Sequence, residues 1–480
     1  MGGSVSVQDV SVITVGADGA MGLTDAFAKS LHKVMPAPFN VKNPVVTKRH
    51  EALIKANWTA INTGTSAFDA VKHLTPIKFL HQTFYQALFV SAPSLRSMFR
   101  SSMTVQGKTL TMVLETLITI VHGANFVSTI QEMARRHLQY GVAKKHYTVF
   151  GKVLLETLEV VSGNSWSAKV KDAYLVAYSF VYSVMMPVIQ HQDAVVLPES
   201  IPATITKSIA ISPSAKRITI EFAFTLKYHP GDAIWLGLPL ETGCIRRHFT
   251  ITSFWEDRPN VIDICVQDAS ASSHWLCTQE PGAVVSLYWV ESDVRLETDA
   301  QEALPPHIVF VSYGIGCIPF ITMLEGLYRV RDVWKGTVVS LQCAASPDDV
   351  TPLNIGVPST GQPIMWEASS THYAPTVTGE KLQDIAPNLP HAVLYVSGPT
   401  SFVAAARDAW IMGGGQRDRT HEFSFDNKRP FAMSTANLVR TLSSIHTAGV
   451  VATSQPRAVE SFGTQLHAVA ILEPSTSPTR

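Results

Sequence analysis

Four short runs in this chain hold residue types whose spacing could do chemistry. Gly314-Ile315-Gly316-Cys317-Ile318-Pro319 stands where the apolar run 307–313 gives way to a helical pattern. Glycines at such a junction let backbone amides approach a pyrophosphate, and a helix N-terminus favours its negative charge. The same glycines also suit any tight strand-to-helix turn. Gly398-Pro399 ends the last apolar run of the same region, where open α/β sheets place ligands. Arg247-His248-Phe249-Thr250 closes an earlier alternating segment. There an arginine could neutralise a diphosphate, an aromatic could cover a flat ring and a hydroxyl could bond a ring nitrogen. Alone, it is an ordinary strand end. The fourth run is Ala134-Arg135-Arg136-His137-Leu138. A lone helical histidine is either a metal ligand or a satisfied polar residue, and the neighbours decide.

The elements that must position these runs change character along the chain. From residue 50 to about 192 the texture is helical, with breaks at Thr75-Pro76, Ser91-Ala92-Pro93 and Ser162-Gly163-Asn164. Residues 173–190 run without a charge, but Tyr174, Tyr178 and Tyr182 recur at every fourth position and Pro187 is expected to break the end. That pattern predicts a core helix with a polar stripe, not a bilayer span. After Leu197-Pro198, short alternating segments with Pro/Gly turns predict a small antiparallel β-barrel. From 307 onward, strand and helix patterns alternate, which predicts a parallel α/β domain. The fold class is therefore multi-domain, all-α then β-barrel then α/β. Expected boundaries are a flexible extension over 1–45, a helical domain over 46–195, a barrel over 196–303, an α/β domain over 304–431 and a disordered tail over 432–480.

Composition bounds the function. The 480 residues are 46% hydrophobic and 16% charged, which excludes wholesale disorder. Equal totals of 38 basic and 38 acidic side chains argue against nucleic-acid binding. Residues 1–198 nevertheless hold 18 basic and 11 acidic groups, and the remainder 20 and 27. Two modules that attract each other would carry this asymmetry, as would chance drift. Five cysteines, all after residue 243 and without a CxxC pair, fit reduced thiols in the cytoplasm. The start lacks a secretory signal pattern, so the Asn57-Trp58-Thr59 sequon is expected to stay unmodified. Membrane contact is expected only through Gly2, which with Ser6 matches a short myristoylation pattern.

Placed before an α/β domain, Arg247-x-Phe249-Thr250 resembles the flavin motif of the ferredoxin-reductase family, and the GxGxxP turn and late Gly-Pro follow in that family's order. In the helical half, Phe84-Tyr85, Pro93 with Phe99, Gln106, Leu110, His137 and Tyr147 ten residues beyond it follow the order of a globin of the flavohaemoglobin type. With both halves read, about residues 50–431 resemble that family: globin, FAD barrel, nicotinamide domain. The resemblance implies haem b held by His137, with Tyr85 and Gln106 as the distal pair and Tyr147 behind the histidine. Phe99 and Leu110 would line the haem pocket. Arg247, Phe249, Thr250 and Ser273 would hold FAD, and Phe425 would lie against its ring system. Gly314, Gly316, Pro319, Gly398 and Pro399 would shape the NAD(P)H site.

The chain departs from the family's pattern in places. No acidic residue occurs from Leu175 to Gln192, where the family has a glutamate that pairs with Tyr147 and the histidine. The diphosphate loop reads Asp268-Ala269-Ser270-Ala271-Ser272-Ser273 without glycine, and Ser397 replaces the cysteine of the late Cys-Gly-Pro. The implied activity is a nitric oxide dioxygenase, a monomer whose small-molecule substrates are O2 and nitric oxide. Two alternatives are a haem-linked reductase acting on other acceptors and a non-enzymatic oxygen or redox sensor. Asp348 and Asp349 lean towards NADH, since a 2′-phosphate would need a cation there.

Overall fold

Chain contacts divide the protein into two units: the first includes the chain up to Phe99 and Gln106–Glu199, the second Arg100–Val105 and Ser200–Ala432. The computed structural model describes residues 12–31, 34–119, 125–191, 193–241, 243–291, 294–345, 369–386 and 388–424.

The first unit opens with a feature absent from the sequence reading. Of the stretch expected to be flexible over 1–45, the described residues together with Val46 form a three-stranded sheet, β1 (Ile13–Val15), β2 (Met21–Leu23) and β3 (Val45–Val46), with a helix α1 (Asp25–Leu31). Its anchors are scattered along the chain: Met21, Leu23, Phe39 and Val46 are all buried, while Val15 is exposed. Burial of sparse side chains, not periodicity, holds this segment, and that is why no pattern announced it.

Six α-helices follow: α2 (Lys48–Thr63), α3 (Pro76–Ser91), α4 (Met103–Thr119), α5 (Phe126–Gln139), α6 (Lys144–Ser162) and α7 (Ala168–His191). The punctuation read from sequence sets their ends. Thr75 caps α3 by accepting from the Lys78 amide while Pro76 fills the first helical position. Helices α3 and α6 pack together, as do α5 with α7 and α2 with α7.

Helix α7 has the length and composition of a membrane span, yet 78% of its most apolar stretch is buried inside the protein. It is a core helix, and its tyrosine stripe is spent on neighbouring helices. Tyr174 donates to Asn57 Oδ1 at 3.2 Å, Tyr178 to the Tyr147 carbonyl at 2.6 Å and Tyr182 to the Lys144 carbonyl at 3.0 Å. Pro187, expected to end this helix, lies inside it. Proline removes one backbone donor, and the buried apolar faces of Val188 and Ile189 carry the helix on to His191. Asn57, the acceptor for Tyr174, is itself 3% exposed and donates to Ser162 Oγ at 3.0 Å. Its amide is committed to the core, so the sequon is buried.

In the second unit, β4 (Ile201–Ser212), β5 (Ala215–Glu221), β6 (Ala233–Leu240), β7 (Gly243–Thr250), β8 (Val261–Gln267) and β9 (Val284–Glu291) make an antiparallel sheet in the order β7-β6-β9-β4-β5-β8. A bridge from Ile251 to Ile264 joins its two ends and closes the barrel. A helix, α8 (Ala271–Thr278), covers part of it. The α/β part has five parallel strands, β10 (His307–Tyr313), β11 (Thr337–Cys343), β12 (Ser369–Ala374), β13 (Val393–Gly398) and β14 (Thr420–Ser424), in the order β12-β11-β10-β13-β14. Helices α9 (Ile318–Arg329), α10 (Gly379–Ile385) and α11 (Thr400–Met412) connect them. All five cysteines are free thiols.

Replacing Asn57 with alanine strips partners from Ser162 and Tyr174 in a buried setting. Asn57→Ala should lower the unfolding free energy by about 1–3 kcal/mol, whereas Lys55→Ala on the exposed face should stay within about 0.5 kcal/mol. Urea unfolding of the two variants checks this; equal midpoints would contradict it.

Candidate functional site

His137 is fully buried near the end of α5, and its Nδ1 lies 2.9 Å from the Tyr147 hydroxyl in the first turns of α6. Local chain geometry makes the ten-residue spacing work. The amides of Tyr140 and Val142 both donate to the His137 carbonyl, and Gly141 takes φ +83°, so α5 stops at Gln139, just after the histidine. Six residues later α6 has begun and Tyr147 faces back. In the tautomer with Nδ1 protonated, the imidazole donates to the phenol and the lone pair sits on Nε2, the arrangement an axial ligand needs. The start of α6 is held by His146, whose Nδ1 accepts from the Ala143 amide at 2.9 Å. Burial, then the Lys145 charge, pushes the His146 imidazolium down to about 4.

The other expected wall comes from α3 and α4. Tyr85 is 2% exposed, and its hydroxyl lies 3.5 Å from the Gln106 carbonyl, a long contact that leaves the O–H weakly held. Burial drives the Tyr85 phenol well above its ordinary range, so it remains a donor at any working pH. Gln106, Phe99 and Leu110 are all buried. Phe99 meets the Tyr85 ring edge-on at 5.7 Å. Sequence reasoning missed His81, one turn before Tyr85. A Cβ on Gly107 would fall 2.0 Å from His81 Nδ1, and His81 Nε2 lies 2.8 Å from Thr111 Oγ1. Only glycine at 107 allows this approach, and that approach sets Tyr85 beside Gln106.

In the second unit, β7 carries the expected flavin motif at its end. Arg247 is exposed, while Phe249 packs against the barrel core and Thr250 is half-buried. On the opposite face from Arg247, His248 sits 5.0 Å from the Trp235 ring and 5.7 Å from Phe423. Phe425, expected against the flavin, lies outside the described residues, as do Gly2, the aspartates at 348–349 and the tail; the aromatic on β14 that reaches β7 is Phe423. Ser273 is a cap as well as a candidate ligand. Its Oγ accepts from the amides of Ala269 and Ser270 at 3.1 and 2.9 Å, closing a box at the start of α8.

The two glycine turns of the α/β part converge. Strands β10 and β13 are neighbours from which the sheet winds outward in both directions, and Gly314–Cys317 and Gly398-Pro399 follow their carboxyl ends. That is the switch-point crevice of a doubly wound sheet. Gly314 has φ +51° and open space where a Cβ would stand. Gly316 differs: a Cβ there would lie 2.6 Å from the Ser397 carbonyl. The first glycine opens the cradle and the second seats it on β13. Pro319 fills an N-terminal position of α9.

The globin family model matches residues 82–185. Flavohaemoproteins from Burkholderia sp. (strain TH2) and Vibrio cholerae are 20% identical over 299 residues and 22% identical over 277 residues. These alignments cover 58% and 52% of this chain and 71% and 68% of the relatives. Residues 82–185 are a globin domain, followed in this chain by an antiparallel barrel and a parallel α/β part. Among solved structures, a flavohaemoglobin from Malassezia yamatoensis with bound FAD and haem is similar at 15% identity, with a TM-score of 0.40, over 79% of this chain and 99% of that one. The flavohaem-like FAD/NAD-binding domain of nitric oxide dioxygenase from Vibrio cholerae O1 biovar El Tor is similar at 16% identity, with a TM-score of 0.37, over 48% and 99%.

Among the described residues one further cluster, in the second unit, has metal-ligand composition: His229, Glu297 and Asp299 offer atoms within 4.8 Å of one another. Arg295 already donates to Glu297 Oε1 at 2.6 and 2.9 Å, which supplies the positive charge a cation would bring. It is an ion network under the His229-Pro230-Gly231-Asp232 turn.

Because His146 is neutral in the fold, it stabilises the protein fully above its unfolded value of about 6.5, and this stability is lost as pH falls through about 4. Melting temperatures of the wild type and of His146→Gln should therefore diverge least at pH 4 and most at pH 7. Parallel curves would contradict the assignment.

Proposed function

We propose that this chain is an NAD(P)H-driven nitric oxide dioxygenase, converting nitric oxide and O2 to nitrate. The observation that carries the proposal is a buried histidine with its Nδ1 engaged by a phenol, in the same chain as a dinucleotide-type crevice. The donor set fits haem: an imidazole oriented by Tyr147, with fully buried Phe99 and Leu110 as apolar cover. The open position above Gly314 fits a pyrophosphate, and exposed Arg247 beside Phe249 and Thr250 fits a flavin. When bound, these groups supply hydride donation, its division into single electrons and a redox-active iron.

The chain's own residues do the rest. Tyr147 fixes the His137 ring and raises its basicity by accepting from Nδ1. Phe99 and Leu110 exclude water. The Tyr85 phenol stays protonated and donates to negative charge that develops on a small ligand in the pocket, and Gln106 lies beside it. Arg247 offsets diphosphate charge, while Gly314 lets backbone amides approach phosphate oxygens. The alternative reading, a reductase for other acceptors, draws on one observation: the Tyr85 hydroxyl is turned towards the Gln106 carbonyl.

Two variants test the proposal. His137→Ala should lose haem while NADH still reduces the flavin. Tyr85→Phe should speed oxygen dissociation about 10- to 100-fold, the effect of losing a donor of about 1–3 kcal/mol, and should lower nitrate formation at limiting O2. An unchanged oxygen off-rate with intact reductase activity would favour the alternative.

A further inference from the structure

Phe39 lies in the N-terminal segment, about a hundred residues before the histidine, yet its ring is 0% exposed within the globin unit. It stands 4.7 Å from the Tyr178 ring and 6.2 Å from the Tyr182 ring, centroid to centroid. Helix α6 makes room for it at Gly151, where a Cβ would fall 2.4 Å from Phe39 Cζ and 2.5 Å from Tyr178 Cε1. The segment that carries it is anchored on the same helix as those tyrosines, since α1 and β3 both pack on α7. Beyond the two tyrosines the contacts run on to the histidine. Tyr178 donates to the Tyr147 carbonyl at 2.6 Å, Tyr182 stacks on the Tyr147 ring at 5.5 Å, and Tyr147 meets His137 Nδ1 at 2.9 Å.

We propose that Phe39 is a positioning residue for the axial histidine, a wedge between α6 and α7 that holds Tyr147 on His137. The proposal rests on the haem reading above. Its physical content is packing: with the space behind Tyr178 and Tyr182 filled, neither ring can relax away from Tyr147. Truncating Phe39 opens a cavity that those rings move into, and the Tyr147–His137 bond lengthens. The basicity of the imidazole is then set by a residue of the N-terminal segment, which touches neither the histidine nor its phenol.

The test uses the full chain loaded with haem, reduced, and read by the iron–histidine stretching frequency in resonance Raman spectra. Tyr147→Phe defines the full effect, a shift to lower frequency with about tenfold faster haem loss. Phe39→Leu should shift the frequency in the same direction, and the double variant should match Tyr147→Phe alone, since both act through one bond. Tyr178→Phe keeps the packing, removes only the hydroxyl, and should also shift the frequency downwards; it decides the matter if Phe39→Leu does not fold. A frequency unmoved in these variants, or shifts that add to that of Tyr147→Phe, would overturn the positioning role while leaving the haem reading intact. A wild-type chain that binds no haem, or a His137→Ala chain with an unchanged iron spectrum, would sink both.

Discussion

The hydrogen bond between His137 Nδ1 and the Tyr147 hydroxyl constrains the whole globin unit. It fixes the end of α5 against the start of α6, so α5 must stop at a left-handed glycine and α6 must start within a few residues. Tyr147 in turn needs a wall behind it, and α7 supplies one. A stripe of tyrosines at four-residue spacing would be a liability in an apolar helix unless each hydroxyl found an acceptor. Here each finds a different one: a buried asparagine, the Tyr147 carbonyl and the Lys144 carbonyl. Each such bond is worth about 1 kcal/mol net, less than the penalty of leaving it unmade. Their larger effect is to fix one arrangement. Among the described residues of α7 no carboxylate follows Asp172, and the support this helix gives Tyr147 comes from the neutral side chains of Tyr178 and Tyr182. A neutral partner draws less on the imidazole proton than a carboxylate would.

The second unit follows a second constraint, the approach of two strand ends. Ser397 and Gly316 touch so closely that no side chain fits at 316, and this contact brings the two glycine turns to one crevice. The barrel solves a different problem. Its end strands would expose unpaired backbone, and the Ile251–Ile264 bridge joins them. The continuous register of β7 on β6, with Arg247 opposite Leu236, fixes where Arg247 stands.

Much of this was legible in the sequence, for identifiable reasons. The His137–Tyr147 spacing, the breaks at Thr75-Pro76 and Ser162-Gly163-Asn164, and the Gly314–Pro319 turn are local signals, each enforced by backbone chemistry within a few residues. The core assignment of α7 was legible because polar side chains at one helical angle are incompatible with lipid. Other parts were not. Residues 12–46 are ordered by a handful of long-range contacts, Phe39 above all, and sparse anchors leave no periodicity. Strands β12 and β14 read Ser-Ser-Thr-His-Tyr-Ala and Thr-His-Glu-Phe-Ser. They are edge strands with exposed faces, so they lack the apolar run that marked β10 and β13. The pairing of His248 with Trp235 and Phe423 was invisible for the same reason, because it depends on which strands become neighbours. Ser273 was read as a ligand, whereas its hydroxyl also closes the turn it belongs to.

The proposed function turns on electron transfer within one chain, from a nicotinamide to an iron that His137 would hold. It is tested most directly by mixing the full chain, loaded with haem and FAD, with NADH under anaerobic conditions and following both chromophores. The account expects flavin bleaching first, then haem reduction at a rate independent of protein concentration. A haem that stays oxidised behind a fully reduced flavin, or one reduced only in proportion to protein concentration, would contradict it.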